Sequence, residues 1–143
     1  RSEDANAGRH NFTLMHEACH LVYGMLYPET YLGVRQRRVY YSLRSSQRSR
    51  TPDWEEWRTN MLTSAVLMPK DLILQHMREF GLSEKMRMVN RVFAPKQYEV
   101  FSQIADKMGV SKTALAIRMK QLGLVERNDL NNPYSLVDIF CDD

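Results

Sequence analysis

Features that would identify a membrane protein or a secreted, disulfide-rich protein are missing from this sequence. No apolar run approaches the roughly 18 residues that a transmembrane helix needs. No basic segment followed by an apolar one indicates a secretory leader. Two cysteines, Cys19 and Cys141, are too few for a disulfide-stabilised scaffold. The sequence therefore predicts a globular protein of the reducing cytoplasm that does not associate with a membrane.

Net charge is also low, so it gives no strong argument for nucleic-acid binding. The 20 basic and 17 acidic residues give a net charge of +3. The charges are unevenly distributed, because residues 35–50 contain six arginines and no acid, whereas residues 128–143 contain acids and no base. An arginine-rich loop is usually a solvated surface, and recognition of an acidic substrate or of nucleic acid by this stretch is the less favoured interpretation.

The length of 143 residues is typical of one compact domain with room for a small appended lobe. Hydrophobic residues make up 43% of the chain and charged residues 26%, which predicts a folded protein rather than a disordered one. Because the chain begins at Arg1 and not at methionine, we expect part of the domain to lie upstream.

The first predicted helix follows a loop over residues 1–10. We expect it to begin at Asn11, a good N-cap residue, and to end near Pro28. Its apolar residues are three and four positions apart, which is typical of one buried helical face. These residues are Phe12, Met15, Cys19, Val22 and Leu26.

A second helix is predicted from the Thr51-Pro52-Asp53 start signal to Pro69. We expect its Trp54 and Trp57, like Phe12 of the first helix, to lie in the core. Further helices are predicted over residues 70–80, 97–108 and 111–122, a short strand near 37–44, and a partly helical segment over 82–95. The predicted fold class is α+β and predominantly helical.

The pentad from His16 to His20 has the form His-Glu-x-x-His. Its two histidines are four residues apart, so on a helix both imidazoles project from one face. Two neutral imidazoles can bind one Zn²⁺, and Glu17 is placed to act as general base on a water molecule. The pentad falls within a predicted amphipathic helix, which favours a zinc site over a chance match.

A catalytic zinc site needs a third protein ligand, and the residues alone leave Glu29, Glu55 and Glu56 open. Asn60 and Thr63 follow Glu56 on the same helical face and are candidates for hydrogen bonds to the ligands. The remaining candidates are weaker. We expect His10 to be mobile, His76 to be a surface or half-buried histidine, and Cys19 to be a buried apolar side chain.

Three segments of the chain together resemble the ImmA/IrrE family of zinc metallopeptidases. Residues 8–20, Gly-Arg-His-Asn-Phe-Thr-Leu-Met-His-Glu-Ala-Cys-His, are similar to its core motif. Glu56-Trp57-Arg58-Thr59-Asn60, followed by Val66-Leu67-Met68-Pro69, resembles its Glu-x-x-Ala-Asn helix that ends in Leu-Leu-Met-Pro. Residues 110–125 resemble its C-terminal helical part. The chain departs from the pattern at Ala18-Cys19, where Leu-Gly is common, and at Thr59, where alanine is common.

The resemblance implies a zincin-like catalytic core over residues 1–83 and a C-terminal helix-turn-helix-like part over residues 84–143, packed as one unit. It implies that His16, His20 and Glu56 are zinc ligands and that Glu17 is the general base. It also implies a cytoplasmic endopeptidase that cleaves a specific protein, such as a helix-turn-helix repressor or an antitoxin-type regulator encoded on a mobile element.

The alternative is a DNA-binding transcriptional regulator with a structural or degenerate metal site. Residues 104–122 have helix-turn-helix spacing around Gly109. Its apolar second helix offers few side chains that could read bases, so a helical hairpin that closes the peptidase core is favoured. Four basic residues could contact phosphates, namely Lys107, Lys112, Arg118 and Lys120.

Overall fold

A computed structural model describes residues 2–29, 54–82 and 85–134. The predicted strand near residues 37–44, the arginine-rich stretch, Cys141 and most of the acidic C-terminal segment lie outside the described residues. The described ranges contain five helices and two strands. These are α1 (Ser2–Leu26), α2 (Trp54–Leu67), α3 (Lys70–Glu79), β1 (Met86–Val89), α4 (Pro95–Met108), α5 (Lys112–Gln121) and β2 (Val125–Asn128).

This composition, mostly helical with one small sheet, is the α+β class that the sequence predicts. The chain divides into two compact units, one of residues 1–12 with 64–143 and the other of residues 13–63. The division near residue 83, the zincin-like core and the helix-turn-helix-like part stay predictions. Within the described ranges, no helix has both the length and the apolar character needed to cross a membrane.

The two strands lie in the first unit and pair in parallel, with Met86 opposite Val125 and Met88 opposite Arg127. Parallel neighbours need a crossover connection, which α4 and α5 provide here. The prediction of partial helix over residues 82–95 misses β1. A strand of four residues is too short for periodicity to identify, and this one is stabilised by a partner far away in the sequence.

The core of the first unit is built from side chains of α3, α4, α5 and both strands. Helix α5 begins as predicted, because the Ser111 side chain accepts a hydrogen bond from the Ala114 backbone N–H at 3.2 Å. Helix α4 ends at Gly109, whose φ of +62° suits glycine. The largest fully buried apolar side chains are Phe101, Met68, Ile73, Met86, Ile104, Leu115, Met119, Val89 and Val125.

Helix α1 begins at Ser2, so the prediction of a loop over residues 1–10 is wrong. Tertiary contacts explain the longer helix. Gly8 is so close to the α4–α5 connection that a Cβ atom would lie 2.7 Å from the Ser111 nitrogen and the Val110 carbonyl carbon. Asn11 is not an N-cap; its Nδ2 atom donates to the Gly109 carbonyl at 2.9 Å.

The predicted core position of the tryptophans is also wrong. Trp54 is 63% exposed and Trp57 is 54% exposed, and their rings meet edge to face at 5.8 Å. Phe12 does pack against the core of the first unit. In α2 the fully buried residues are Thr59 and Thr63, because each hydroxyl donates to a backbone carbonyl one turn earlier and is thereby satisfied away from water.

Candidate metal centre

Helix α1 places His16 and His20 one turn apart on the same face. Their Nε2 atoms lie 2.9 Å from each other, and the rings are nearly perpendicular, at 82°. Both side chains are mostly buried, with 15% and 10% exposed. The helix therefore brings two imidazole nitrogens to one point, as the pentad predicts.

Glu56, in the first turn of α2, supplies a carboxylate at the same point. Its Oε2 atom lies 3.1 Å from His16 Nε2, and its Oε1 atom lies 3.2 Å from His20 Nε2. The ligand atoms of these three residues all lie within 4.8 Å of one another. The structure thus brings together the three residues that the resemblance implies as ligands.

The chemistry of this donor set fits a metal ion. Ligands at 2.0–2.1 Å in a tetrahedral site are about 3.3 Å from each other, close to the separations found here. When both Nε2 atoms are unprotonated, their lone pairs and the carboxylate converge, and a cation is needed to offset their mutual repulsion. Two imidazoles and one carboxylate are a known set of protein ligands in catalytic zinc sites.

The other predicted ligands lie elsewhere. Among the described residues, the grouping of possible metal ligands comprises His16, His20 and Glu56, and excludes Glu29, Glu55 and Cys19. Cys19 is a free cysteine that is 3% exposed, as predicted for a buried apolar side chain. Glu17 is exposed on α1, one residue from the first ligand, and its role as general base stays a prediction.

Thr59 is a site residue that the sequence reasoning missed. Its Oγ1 atom lies 3.3 Å from His20 Nδ1 and donates to the Glu55 carbonyl at 2.8 Å. The predicted partners were Asn60 and Thr63, but Asn60 is exposed and the Thr63 hydroxyl donates to the Thr59 carbonyl. The sequence spacing could have pointed to Thr59, because it is three residues after Glu56 and so lies on the same helical face.

The two remaining histidines lie outside this centre. His10 is exposed on α1. His76 is buried, and its Nδ1 atom lies 2.8 Å from Glu79 Oε2, which also accepts a hydrogen bond from Lys107 Nζ at 2.6 Å. Hydrogen bonds from Lys107, then His76 and Gln75, lower the pKa of Glu79 from 4.5 to about 2. We assign His76 to this structural cluster.

The four basic side chains that could contact DNA phosphates each contact another group of the protein. Lys107 bonds Glu79, and Lys112 Nζ lies 5.4 Å from the centre of the Tyr98 ring. Arg118 Nε donates to the Met68 carbonyl at 3.2 Å, and Lys120 Nζ donates to the Glu126 carbonyl. These contacts fit the helical hairpin better than a DNA-binding surface, and DNA binding stays an unfavoured prediction.

Comparison with known proteins supports the resemblance found in the sequence. A family model described as the IrrE N-terminal-like domain, of the M78 peptidases, matches residues 2–120. The match includes all three residues of the candidate metal centre. No curated protein and no solved structure matches the chain. Because this match covers most of the chain, the protein belongs to the M78 peptidase family of IrrE N-terminal-like domains.

Proposed function

We propose that this protein is a zinc-dependent endopeptidase that hydrolyses a peptide bond in a specific protein. The observation that carries the proposal is the convergence of two imidazoles and one carboxylate in a chain of a peptidase family. Metallopeptidases use such a set of three ligands and keep a further position for water or substrate. Glu56 is 38% exposed, which supports access from solvent.

His16, His20 and Glu56 would hold the ion. A bound zinc ion would supply Lewis-acid chemistry at this point. The imidazoles would bind through Nε2, the atoms that converge on the carboxylate. Both histidine side chains are mostly buried, which restricts the orientations available to their rings.

Glu17 handles the proton in the same reaction. Its carboxylate accepts a proton from the attacking water and then donates it to the leaving nitrogen of the cleaved peptide. Glu17 adjoins His16 on α1 and is exposed, so a substrate can approach it from solvent. Peptide hydrolysis then yields a new carboxylate and a new amine, with no other cofactor required.

The proposed substrate is a helix-turn-helix repressor or an antitoxin-type regulator in the cytoplasm. Membership of a peptidase family supports a protein substrate. The resemblance to ImmA/IrrE proteins supports the narrower class, because that family is associated with regulated cleavage of repressors. Such an enzyme has one or few substrates, so a generic protein substrate is a poor assay.

Metal analysis of the purified protein tests the zinc site. We expect about one zinc per chain in the wild type and in Glu55→Gln, and loss of zinc in Glu56→Gln. Glu55 is a matched control, because it precedes Glu56 in the same helical turn and the substitution is identical. A wild-type protein that binds no zinc, or equal loss in both variants, would contradict the proposal.

The peptidase activity is tested, and the substrate identified, by comparing cells that produce the wild-type protein with cells that produce Glu17→Gln. Glu17→Gln should retain zinc and lose activity about 10²–10⁴-fold, the usual contribution of a general base. Proteome-wide mapping of new N-termini should find one or few proteins cleaved in the wild-type cells alone. Identical cleavage in both cell types would show that Glu17 is not the base.

A further inference from the structure

The buried hydroxyl of Thr59 joins a proposed metal ligand to the backbone of α2. Thr59 is fully buried, with 0% of its surface exposed. Its Oγ1 atom lies 3.3 Å from His20 Nδ1 on one side and 2.8 Å from the Glu55 carbonyl oxygen on the other. A buried hydroxyl without partners would be costly, and here it has two.

The direction of these two hydrogen bonds follows from their chemistry. A carbonyl oxygen can only accept, so the one hydroxyl proton of Thr59 is donated to Glu55. The hydroxyl oxygen can then only accept from His20, which requires a proton on Nδ1. A neutral histidine with a proton on Nδ1 has an unprotonated Nε2, and this is the atom next to Glu56.

We propose that Thr59 is a positioning residue that fixes His20 as the Nδ1–H tautomer and orients its ring for metal binding through Nε2. The inference rests on the zinc site proposed above and adds a residue to it. His16 differs from His20, whose Nδ1 atom contacts Thr59, because among the described residues the hydrogen bonds and ion pairs of His16 all involve Nε2. We therefore expect the affinity for zinc to depend on Thr59 through His20.

Thr63 provides a matched control. It is the same residue type in the same helix, it is also 0% exposed, and its hydroxyl also donates to a carbonyl one turn earlier, at 2.7 Å. Within the described part of the chain, that hydroxyl bonds the Thr59 carbonyl and no histidine. Loss of a buried hydroxyl is therefore common to Thr59→Val and Thr63→Val, and loss of the histidine contact is not.

The test measures the dissociation constant for zinc by competition with a chromophoric chelator. We expect Thr59→Val to weaken binding about 10–100-fold, as is usual for groups that orient a metal ligand. Thr59→Ser, which restores the hydroxyl, and Thr63→Val should bind like the wild type. Equal affinity in Thr59→Val and the wild type, or equal losses in both valine variants, would overturn the inference. A wild type that binds no zinc would instead overturn the zinc site itself.

A second measurement needs no variant. Long-range ¹H–¹⁵N correlation spectra of the zinc-loaded wild type report which imidazole nitrogen carries the proton. We expect a proton on Nδ1 of His20 and a metal-bound Nε2. Binding of zinc through Nδ1 would overturn the inference, even if Thr59→Val failed to fold.

Discussion

Two histidine–glutamate clusters occur in the described part of this chain, one in each compact unit, and they differ in the source of positive charge. In one, Glu56 faces His16 and His20 at 3.1 and 3.2 Å. In the other, Glu79 faces His76 at 2.8 Å. The second cluster includes an ammonium group, Lys107 Nζ, at 2.6 Å from the same carboxylate.

A cation supplied by the protein itself distinguishes an ion pair from a candidate metal centre made of the same residue types. Lys107 supplies a permanent cation, so Glu79 is compensated by the protein and its pKa is lowered to about 2. The grouping around Glu56 has two imidazoles, which bind a metal only when neutral. Its donors therefore converge on a place for an added cation, whereas those of the Glu79 cluster do not.

Substitution of one histidine in each cluster should separate the two clusters most clearly. His20→Gln should abolish stoichiometric zinc binding and proteolysis, because a two-ligand site holds zinc poorly. His76→Gln should retain both, although it loses a buried hydrogen bond. Metal analysis and cleavage assays on folded protein, verified by circular dichroism, check this. Zinc loss from His76→Gln and not from His20→Gln would reverse the comparison.

The sequence predicts which residues meet at the candidate metal centre better than it predicts the fold around them. His16 and His20 follow from helical spacing alone, since four residues bring two side chains to one face. The sequence pattern alone left Glu29, Glu55 and Glu56 open as the third ligand, and only the resemblance favoured Glu56. The spacing places Thr59 on the same face of α2 as Glu56, but its contact with His20 depends on the packing of α2 beside α1 within residues 13–63, which a linear pattern does not contain.

The predictions for β1 and for the start of α1 were wrong because both elements depend on contacts between residues that are distant in the sequence. Strand β1 exists because Met86 pairs with Val125, almost forty positions later. The first turns of α1 exist because Gly8 and Asn11 contact the α4–α5 connection. By contrast, the start of α5 at Ser111 and the end of α4 at Gly109 were predicted correctly, because caps depend on local chemistry.

A smaller effect is expected at two glycines of α1, one in each unit. Gly8 is closely packed, and a methyl group there would meet backbone atoms at 2.7 Å, so Gly8→Ala should destabilise the protein by about 1–3 kcal/mol. Gly24 has nothing within 4 Å of an added Cβ, so Gly24→Ala should stabilise it by about 0.5–1 kcal/mol through helix propensity. Denaturant unfolding of the metal-free proteins measures both changes, and shifts of the same sign would contradict this contrast.

A weaker difference between the two clusters should appear in the pH dependence of stability, to which the Glu79 cluster contributes. Because its pKa is lowered from 4.5 to about 2, the Glu79 carboxylate stabilises the folded state above pH 4.5 and loses that contribution as the pH falls towards 2. Glu79→Gln should therefore lower the denaturant midpoint more at pH 6 than at pH 2.5, where part of the contribution of the carboxylate has been lost. Glu99→Gln, an identical change at an exposed position of α4, should show little difference at either pH. If the Glu79→Gln difference were the same at both pH values, the carboxylate would not be compensated by Lys107, and the contrast with the candidate metal centre would lose its electrostatic basis.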